Sequence, residues 1–113
     1  TLADLCSIDR PAALAGVSLA PVLSDLQHQP RQAALTQYAN GYSLRTARYR
    51  YTEWGEQGAQ GIEFYDHQHD PNEMRNLAEL PEHSHLIDQL AQQLHKHIAV
   101  ARKLPKIKGN WGR

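Results

Sequence analysis

The sequence predicts an α+β fold, in which a small four-stranded antiparallel sheet is packed by one long C-terminal helix. The first observation is the run from Gly41 to Trp54, whose tyrosine, arginine and threonine residues suit a pleated, half-buried surface. The second is a stripe of apolar residues at helical spacing between positions 82 and 103. The third is the length of 113 residues without an internal repeat, which indicates one small domain or a piece of a larger one.

The central run predicts a β-hairpin. It is longer than an average strand, so we expect two strands, at about 42–46 and 48–54, with a tight turn near Ala47. Period-two alternation gives the second strand two different faces. One face carries Tyr49, Tyr51 and Glu53, and the other carries Arg48, Arg50, Thr52 and Trp54. Neither face is purely apolar, and we therefore expect a helix on one side and a partner surface on the other.

The segments on either side of this hairpin predict the two outer strands, at 33–39 and 62–67. Asn40-Gly41 is a strong signal for a two-residue hairpin turn between the first two strands. Gly55 to Gly61 contains three glycines and little apolar content, which predicts a flexible loop before the last strand.

Two patterns predict helices in the second half of the chain. Asp70-Pro71-Asn72-Glu73 combines an N-cap aspartate, a proline and a glutamate, and predicts one or two helical turns ending near Asn76. Pro81 then precedes the main helix, predicted over 82–103. Its apolar stripe, expected against the sheet, consists of Leu86 or Ile87, Leu90, Leu94, Ile98 and Ala101. At the N-terminus, residues 1–7 predict a short helix.

Composition excludes several function classes. Lys plus Arg and Asp plus Glu each number 12, so the overall charge does not favour nucleic acid or an acidic membrane surface. No apolar run approaches the roughly 20 residues that span a bilayer. The single Cys6 cannot form an internal disulfide. The residues therefore predict neither a nucleic-acid nor a membrane partner.

Three groups of residues have side chains suited to catalysis or metal binding, and for each the ordinary structural interpretation is favoured. Cys6 is expected to be a half-buried thiol. The histidine pairs at 67/69, 83/85 and 95/97 do not by themselves supply the three or four converging ligands of a zinc site. The spacing of Glu53, Glu63 and Asp66 does not define an acid/base pair. We therefore expect no catalytic residue and no metal site in this chain.

The arginine and aromatic residues of the hairpin are the candidate functional surface, either in a substrate cleft or at a domain interface. These candidates are Tyr42, Arg45, Arg48, Arg50 and Trp54. Arginine forms bidentate contacts with carboxylate and sulfate groups, which favours an anionic ligand. The alternative is cross-strand packing in which arginine stems cover tyrosine rings, and this interpretation is favoured.

Several motifs in the chain resemble the C-terminal subdomain of the sulfatases, in particular the iduronate-2-sulfatase-like branch of the alkaline phosphatase superfamily. The central motif is GYSLRTARYRYTEW at 41–54. It is preceded by LAGVSLAPVL at 14–23 and ALTQY at 34–38, and followed by EFYDH at 63–67 and DPNEMRNLA at 70–78. Each motif is weak alone, but their order and spacing together make the resemblance specific.

The resemblance implies a hydrolase of sulfate esters with a large catalytic α/β domain, followed by a smaller subdomain of four antiparallel strands and a helix. The family's formylglycine comes from a cysteine in Cys-x-Pro-x-Arg, and Cys-Ser-Ile-Asp-Arg at 6–10 departs from that pattern. Calcium and formylglycine are thus implied for a missing catalytic domain, and no cofactor is expected in this chain. The family also implies a periplasmic or secreted parent.

These observations predict a division of the chain into three parts. Residues 1–32 are expected to be a linker with short helical turns leading from the catalytic domain, 33–104 the sulfatase-like subdomain, and 105–113 a basic tail. The predicted partner is the catalytic α/β domain of the same protein, whose substrate is a sulfated small molecule or glycan. The alternative is a free-standing interaction module that binds an acidic glycan or protein through its Arg/Tyr-rich hairpin. Self-association of the isolated fragment stays open.

Overall fold

A computed structural model gives the structure of the chain, and it describes residues 1–14 and 16–103. The chain divides into two compact units. One comprises Thr1–Arg31 together with the residues from Ala99 onward, and the other comprises Gln32–Ile98. The predicted basic tail at 105–113 lies outside the described residues. The predicted three-part division of the chain stays a prediction.

The first unit contains short helical segments. Helix α1 spans Leu2–Leu5, and a 3-10 turn spans Ala20–Leu23 with a proline at its start. The backbone N–H of Leu19 donates to the Thr1 hydroxyl at 2.8 Å, which joins the start of the 3-10 turn to the start of α1. Most of its apolar side chains, including Leu2 and Leu5, are exposed.

The second unit is the predicted antiparallel meander. Its strands are β1 (Ala34–Tyr38), β2 (Gly41–Arg45), β3 (Tyr49–Trp54) and β4 (Gly61–Asp66), paired in sequence order. Helix α2 (Ser84–Lys103) follows a 3-10 turn at Pro81–His83. The α+β prediction is confirmed, and no strand bound differs from the predicted one by more than one residue.

The core lies between one face of the sheet and the apolar stripe of α2. Leu44, Tyr51 and Phe64 are paired across three strands and are 0%, 3% and 0% exposed. They pack with the buried helix residues Ile87, Leu90 and Leu94. The predicted stripe is thus confirmed through Ile98, which packs against this core, while Ala101 is exposed. The helix side of the sheet is the face that carries Tyr49, Tyr51 and Glu53, and the opposite face is called the outer face below.

The first hairpin turn differs from the prediction. Tyr38 pairs with Gly41, so the two turn residues are Ala39 and Asn40, and Gly41 begins β2. Ala39 accordingly adopts a positive φ of 49°. Glycine is needed at 41 for a different reason: a Cβ there would lie 2.6 Å from the ring of Trp54. Close cross-strand packing, rather than turn geometry, accounts for this glycine.

The predicted helix at 70–76 is wrong. Glu73 has a φ of 55°, which interrupts any helical turn. The Asp70 carboxylate instead accepts the backbone N–H of Arg75 at 2.9 Å, and backbone hydrogen bonds from Met74 and Arg75 lower the pKa of Asp70. The segment does not form a helix because Asn76 hydrogen-bonds to β4, a tertiary contact that overrides the local capping pattern.

Candidate domain interface on the outer face of the sheet

The five predicted interface residues do not share one face. Arg45, Arg50 and Trp54 occupy outer-face positions of β2 and β3. Tyr42 pairs with Glu53 and packs against the core on the helix side. Arg48 precedes β3, and its guanidinium contacts Asp66 and the Tyr49 ring, which lie on the helix side. The structure therefore brings three of the five candidates together, and the prediction that Arg48 shares a face with Arg50 is wrong.

Arg50 is engaged by a neighbouring loop. Its Nε lies 2.5 Å from Oε1 of Glu73, and Nε2 of His67 lies 2.6 Å from the same oxygen. Glu73 reaches this position from the left-handed backbone conformation that breaks the predicted helix. The charge of Arg50 is therefore compensated locally by a carboxylate of the same chain.

Arg45 is engaged by the backbone of the β2–β3 turn. Its Nη1 donates to the carbonyl oxygen of Thr46 and lies 3.4 Å from that of Tyr49. The Thr46 hydroxyl also accepts the backbone N–H of Tyr49 at 2.9 Å. Arg45 thus stabilises the turn that was predicted near Ala47.

Trp54 covers the end of the outer face. Its ring packs on Gly41, and its Nε1 donates to the Glu63 carboxylate at 2.9 Å. Beside it, the Thr52 hydroxyl donates to Ser43 Oγ at 2.9 Å. Burial and the nearby Glu63 carboxylate raise the pKa of Tyr65 on the same face. Arg45, Thr52 and Trp54 thus have partners within this surface. The Nε of Arg50 is close to Glu73 but is buried without a hydrogen bond.

Arg48 forms a two-pronged ion pair at the end of the sheet. Its Nε and Nη2 donate to the two oxygens of Asp66 at 2.8 and 2.6 Å, and its guanidinium lies 4.9 Å from the ring centre of Tyr49. His69 Nδ1 lies 2.9 Å from the same carboxylate. The bond from Arg48 holds the pKa of the nearly buried Asp66 well below its usual range. This pair fixes the β2–β3 turn against the end of β4.

A buried polar network on the helix side contains residues that were not among the predicted site residues. The Glu53 carboxylate, in a residue only 4% exposed, accepts the Tyr51 hydroxyl at 2.8 Å. His95 Nε2 on α2 lies 2.8 and 3.0 Å from its two oxygens. Burial and the bond to Glu53 raise the pKa of Tyr51. A signal was present in the sequence, since Glu53 alternates with Tyr49 and Tyr51 on the face that meets the helix.

The other chemically suggestive residues lie apart. Cys6 is exposed, so the expectation of a half-buried thiol is wrong. Glu53, Glu63 and Asp66 each have different partners and do not form an acid/base pair. Within the described ranges 1–14 and 16–103, no three His, Cys, Asp or Glu side chains converge as metal ligands. Nor is any helix of those ranges long and apolar enough to cross a membrane.

Comparisons with known proteins support the fold and the sequence motifs. The chain is 34% identical over 107 residues to a delta 4,5-hexuronate-2-O-sulfatase of Bacteroides thetaiotaomicron, covering 87% of this chain and 22% of that protein. It matches the structure of a 2-O GAG sulfatase with a TM-score of 0.75 and 33% identity, over 91% of this chain and 24% of the other. The chain thus spans about a quarter of these relatives.

Two further findings agree with these. A protein solved in complex with its substrate D-glucosamine-2-N,6-O-disulfate matches with a TM-score of 0.78 and 25% identity, over 96% of this chain and 24% of that one. The model of the family described as N-sulphoglucosamine sulphohydrolase, C-terminal, matches residues 1–100. The resemblance to a sulfatase C-terminal subdomain is confirmed, and the chain belongs to this family of sulfatase C-terminal domains.

Proposed function

We propose that this chain is the C-terminal subdomain of a sulfatase, which packs on the catalytic α/β domain and helps to close the substrate cleft without supplying catalytic residues. The observation that carries the proposal is the family match over residues 1–100, in a chain that spans only 22% of its curated relative. The substrate of the whole protein is then a sulfated saccharide, as the names of the relatives suggest.

The outer face supports the docking role. Arg45 and Arg50 are half-buried and already engaged, by turn carbonyls and by Glu73 respectively. Trp54 contributes an aromatic surface whose N–H has a partner. Aromatic and arginine residues are enriched at protein interfaces, and charges compensated within one surface can be desolvated at lower cost than free ones. This arrangement favours a domain interface over a receptor for a free anion.

The family implies calcium and formylglycine, and the described residues fit neither group. No set of three acidic, histidine or cysteine side chains converges here. Cys6 lies in Cys-Ser-Ile-Asp-Arg, without the central proline or alanine of the family's nucleophile motif. On this proposal both groups belong to the catalytic domain.

Complementation between two fragments tests the proposed function. The catalytic segment of the parent gene, expressed without this subdomain, is expected to show a higher KM for a sulfated disaccharide. Adding the 113-residue chain in trans is expected to restore KM, whereas adding its Trp54→Asp variant restores it less. The chain alone is expected to hydrolyse no aryl sulfate in the presence of calcium, and hydrolysis by it would overturn the proposal.

The free-standing interaction module is distinguished by direct binding. Salt-sensitive binding of sulfated polysaccharide by the isolated chain, abolished in Arg48→Ala plus Arg50→Ala, would favour the module. Binding that is absent at low salt, together with successful complementation, supports the subdomain.

A further inference from the structure

The two edges of the sheet differ in how their backbone groups are satisfied. In an antiparallel sheet, alternate residues direct their N–H and C=O groups toward one neighbour or the other. The bond from the Thr46 N–H to the Tyr49 carbonyl shows that the even-numbered residues of β2 direct their backbone N–H and C=O groups toward β3. Their odd-numbered neighbours therefore face β1. The register then shows which residues of the two edge strands direct their backbone N–H and C=O groups away from the sheet. They are Leu35 and Gln37 in β1, and Ile62, Phe64 and Asp66 in β4.

The edge formed by β4 is closed by the following loop. Asn76 donates to the Ile62 carbonyl at 3.1 Å and accepts the Phe64 N–H at 2.9 Å. Leu77 donates its N–H to the Phe64 carbonyl at 2.9 Å, so the loop continues the ladder by one residue. The Asp66 carbonyl accepts two further backbone N–H groups of the same loop. This edge therefore offers few backbone groups to another chain.

The edge formed by β1 is open among the described residues. Its five residues pair with β2 without interruption, and no hydrogen bond from Leu35 or Gln37 to a residue beyond the sheet occurs in the described structure. The strand Ala-Leu-Thr-Gln-Tyr contains no charge, no proline and no bulge. Natural edge strands that face water are commonly protected against pairing by a charged side chain, a proline or a β-bulge. An unprotected five-residue edge with Tyr38 76% exposed is typical of a strand that is covered in its native assembly.

We infer that an extended segment of the remaining part of the same sulfatase adds to the edge of β1 as a fifth strand. This inference rests on the proposed function. The relatives that match this chain are about four times longer, and covalent linkage gives such a segment an effective concentration on the order of millimolar. Main-chain hydrogen bonds at Leu35 and Gln37 supply the attachment.

The side chains next to this edge support the same occupant. Ala34, Thr36 and Tyr38 occupy the outer-face positions of β1, beside the outer-face residues of β2. A segment along β1 and a body packed on the outer face would thus meet one continuous surface. A small hydrophilic ligand would not satisfy a row of backbone groups, whereas an extended chain does so at every second residue.

Hydrogen exchange tests the inference. In the full-length sulfatase that carries this chain, the β1 peptide is expected to contain two amides, Leu35 and Gln37, that exchange at least about tenfold more slowly than in the isolated chain. Gln37→Pro removes one outward N–H without breaking the β1–β2 ladder, because an edge strand tolerates proline on its free side. The variant is expected to reduce the protection of Leu35 and to raise KM. Gln37→Thr keeps the N–H and is the matched control.

The outcomes separate this inference from the proposed function. Equal exchange of Leu35 and Gln37 in an active full-length enzyme and in the isolated chain overturns the inference alone. Protection that appears in the isolated chain and rises with its concentration overturns it in favour of a second copy as occupant. A full-length protein without sulfatase activity instead overturns the proposed function.

Discussion

Removing the Asn76 side chain is expected to destabilise the subdomain more than substitutions of exposed residues usually do. Asn76 makes three hydrogen bonds, to the Phe64 N–H, the Ala78 N–H and the Ile62 carbonyl, at 2.9, 3.0 and 3.1 Å. A hydrogen bond contributes about 1 kcal/mol net, which gives an upper value of roughly 3 kcal/mol. Because water can reach the groups left behind at this exposed site, we expect Asn76→Ala to cost about 2 kcal/mol.

Urea unfolding of the isolated chain measures this cost. With a slope of about 2 kcal/mol per molar urea, a loss of about 2 kcal/mol lowers the midpoint by about 1 M. Asn76→Asp is the matched control, since it keeps both acceptor bonds and loses only the bond donated to the Ile62 carbonyl. It is expected to cost roughly half as much. A midpoint shift below about 0.2 M for Asn76→Ala, or equal shifts for the two variants, would refute the role assigned to this side chain.

Three further predictions concern the ion pair, the core and the outer face. Because Arg48 lowers the pKa of Asp66 in the folded state, the stability that this pair contributes is present above the unfolded pKa of about 3.9 and is lost as the pH falls toward the lower folded value. Asp66→Asn should flatten the fall in unfolding free energy between about pH 5 and pH 2, and an unchanged profile would count against the pair. Leu94→Ala removes a side chain that is 0% exposed and should cost about 2–5 kcal/mol in thermal or urea unfolding; a loss under about 1 kcal/mol would contradict the core assignment. Gly41→Ala places a methyl group 2.6 Å from the Trp54 ring, so a shifted tryptophan fluorescence maximum is expected, and an identical spectrum would show that the ring is not held there.

Local patterns were sufficient to predict the regular elements of the fold. Alternation in the central run correctly placed Tyr49, Tyr51 and Glu53 on one face, because strand periodicity alone fixes which side chains share a face. The apolar stripe of α2 likewise follows from helical spacing. Loop segments were predicted less well. The capping pattern at Asp70 was overridden when Asn76 bonded to β4, and no local rule contains that contact.

The site was predicted in part for a related reason. Arg45, Arg50 and Trp54 do lie on one surface, but the sequence could not show that Glu73 and turn carbonyls already engage the two arginines. The partner of Arg50 is 23 residues away, and only the tertiary fold brings it near. Arg48 was misplaced because it precedes the strand, where alternation no longer fixes its direction, and Asp66 draws it toward the helix side.

The pattern of satisfied and unsatisfied polar groups explains how this small unit suits a larger protein. On the helix side, Glu53 is satisfied by Tyr51 and His95, so the interior requires no outside partner. On the outer face, Arg50 is paired with the Glu73 carboxylate and Arg45 donates to turn carbonyls, which lowers the cost of covering these two side chains. Two places differ: the Nε of Arg50 is buried without a hydrogen bond, and the outward backbone groups of Leu35 and Gln37 on β1 have no partner among the described residues. Since main-chain groups are most fully satisfied by another main chain, the edge of β1 is the position at which a neighbouring segment would gain most by binding.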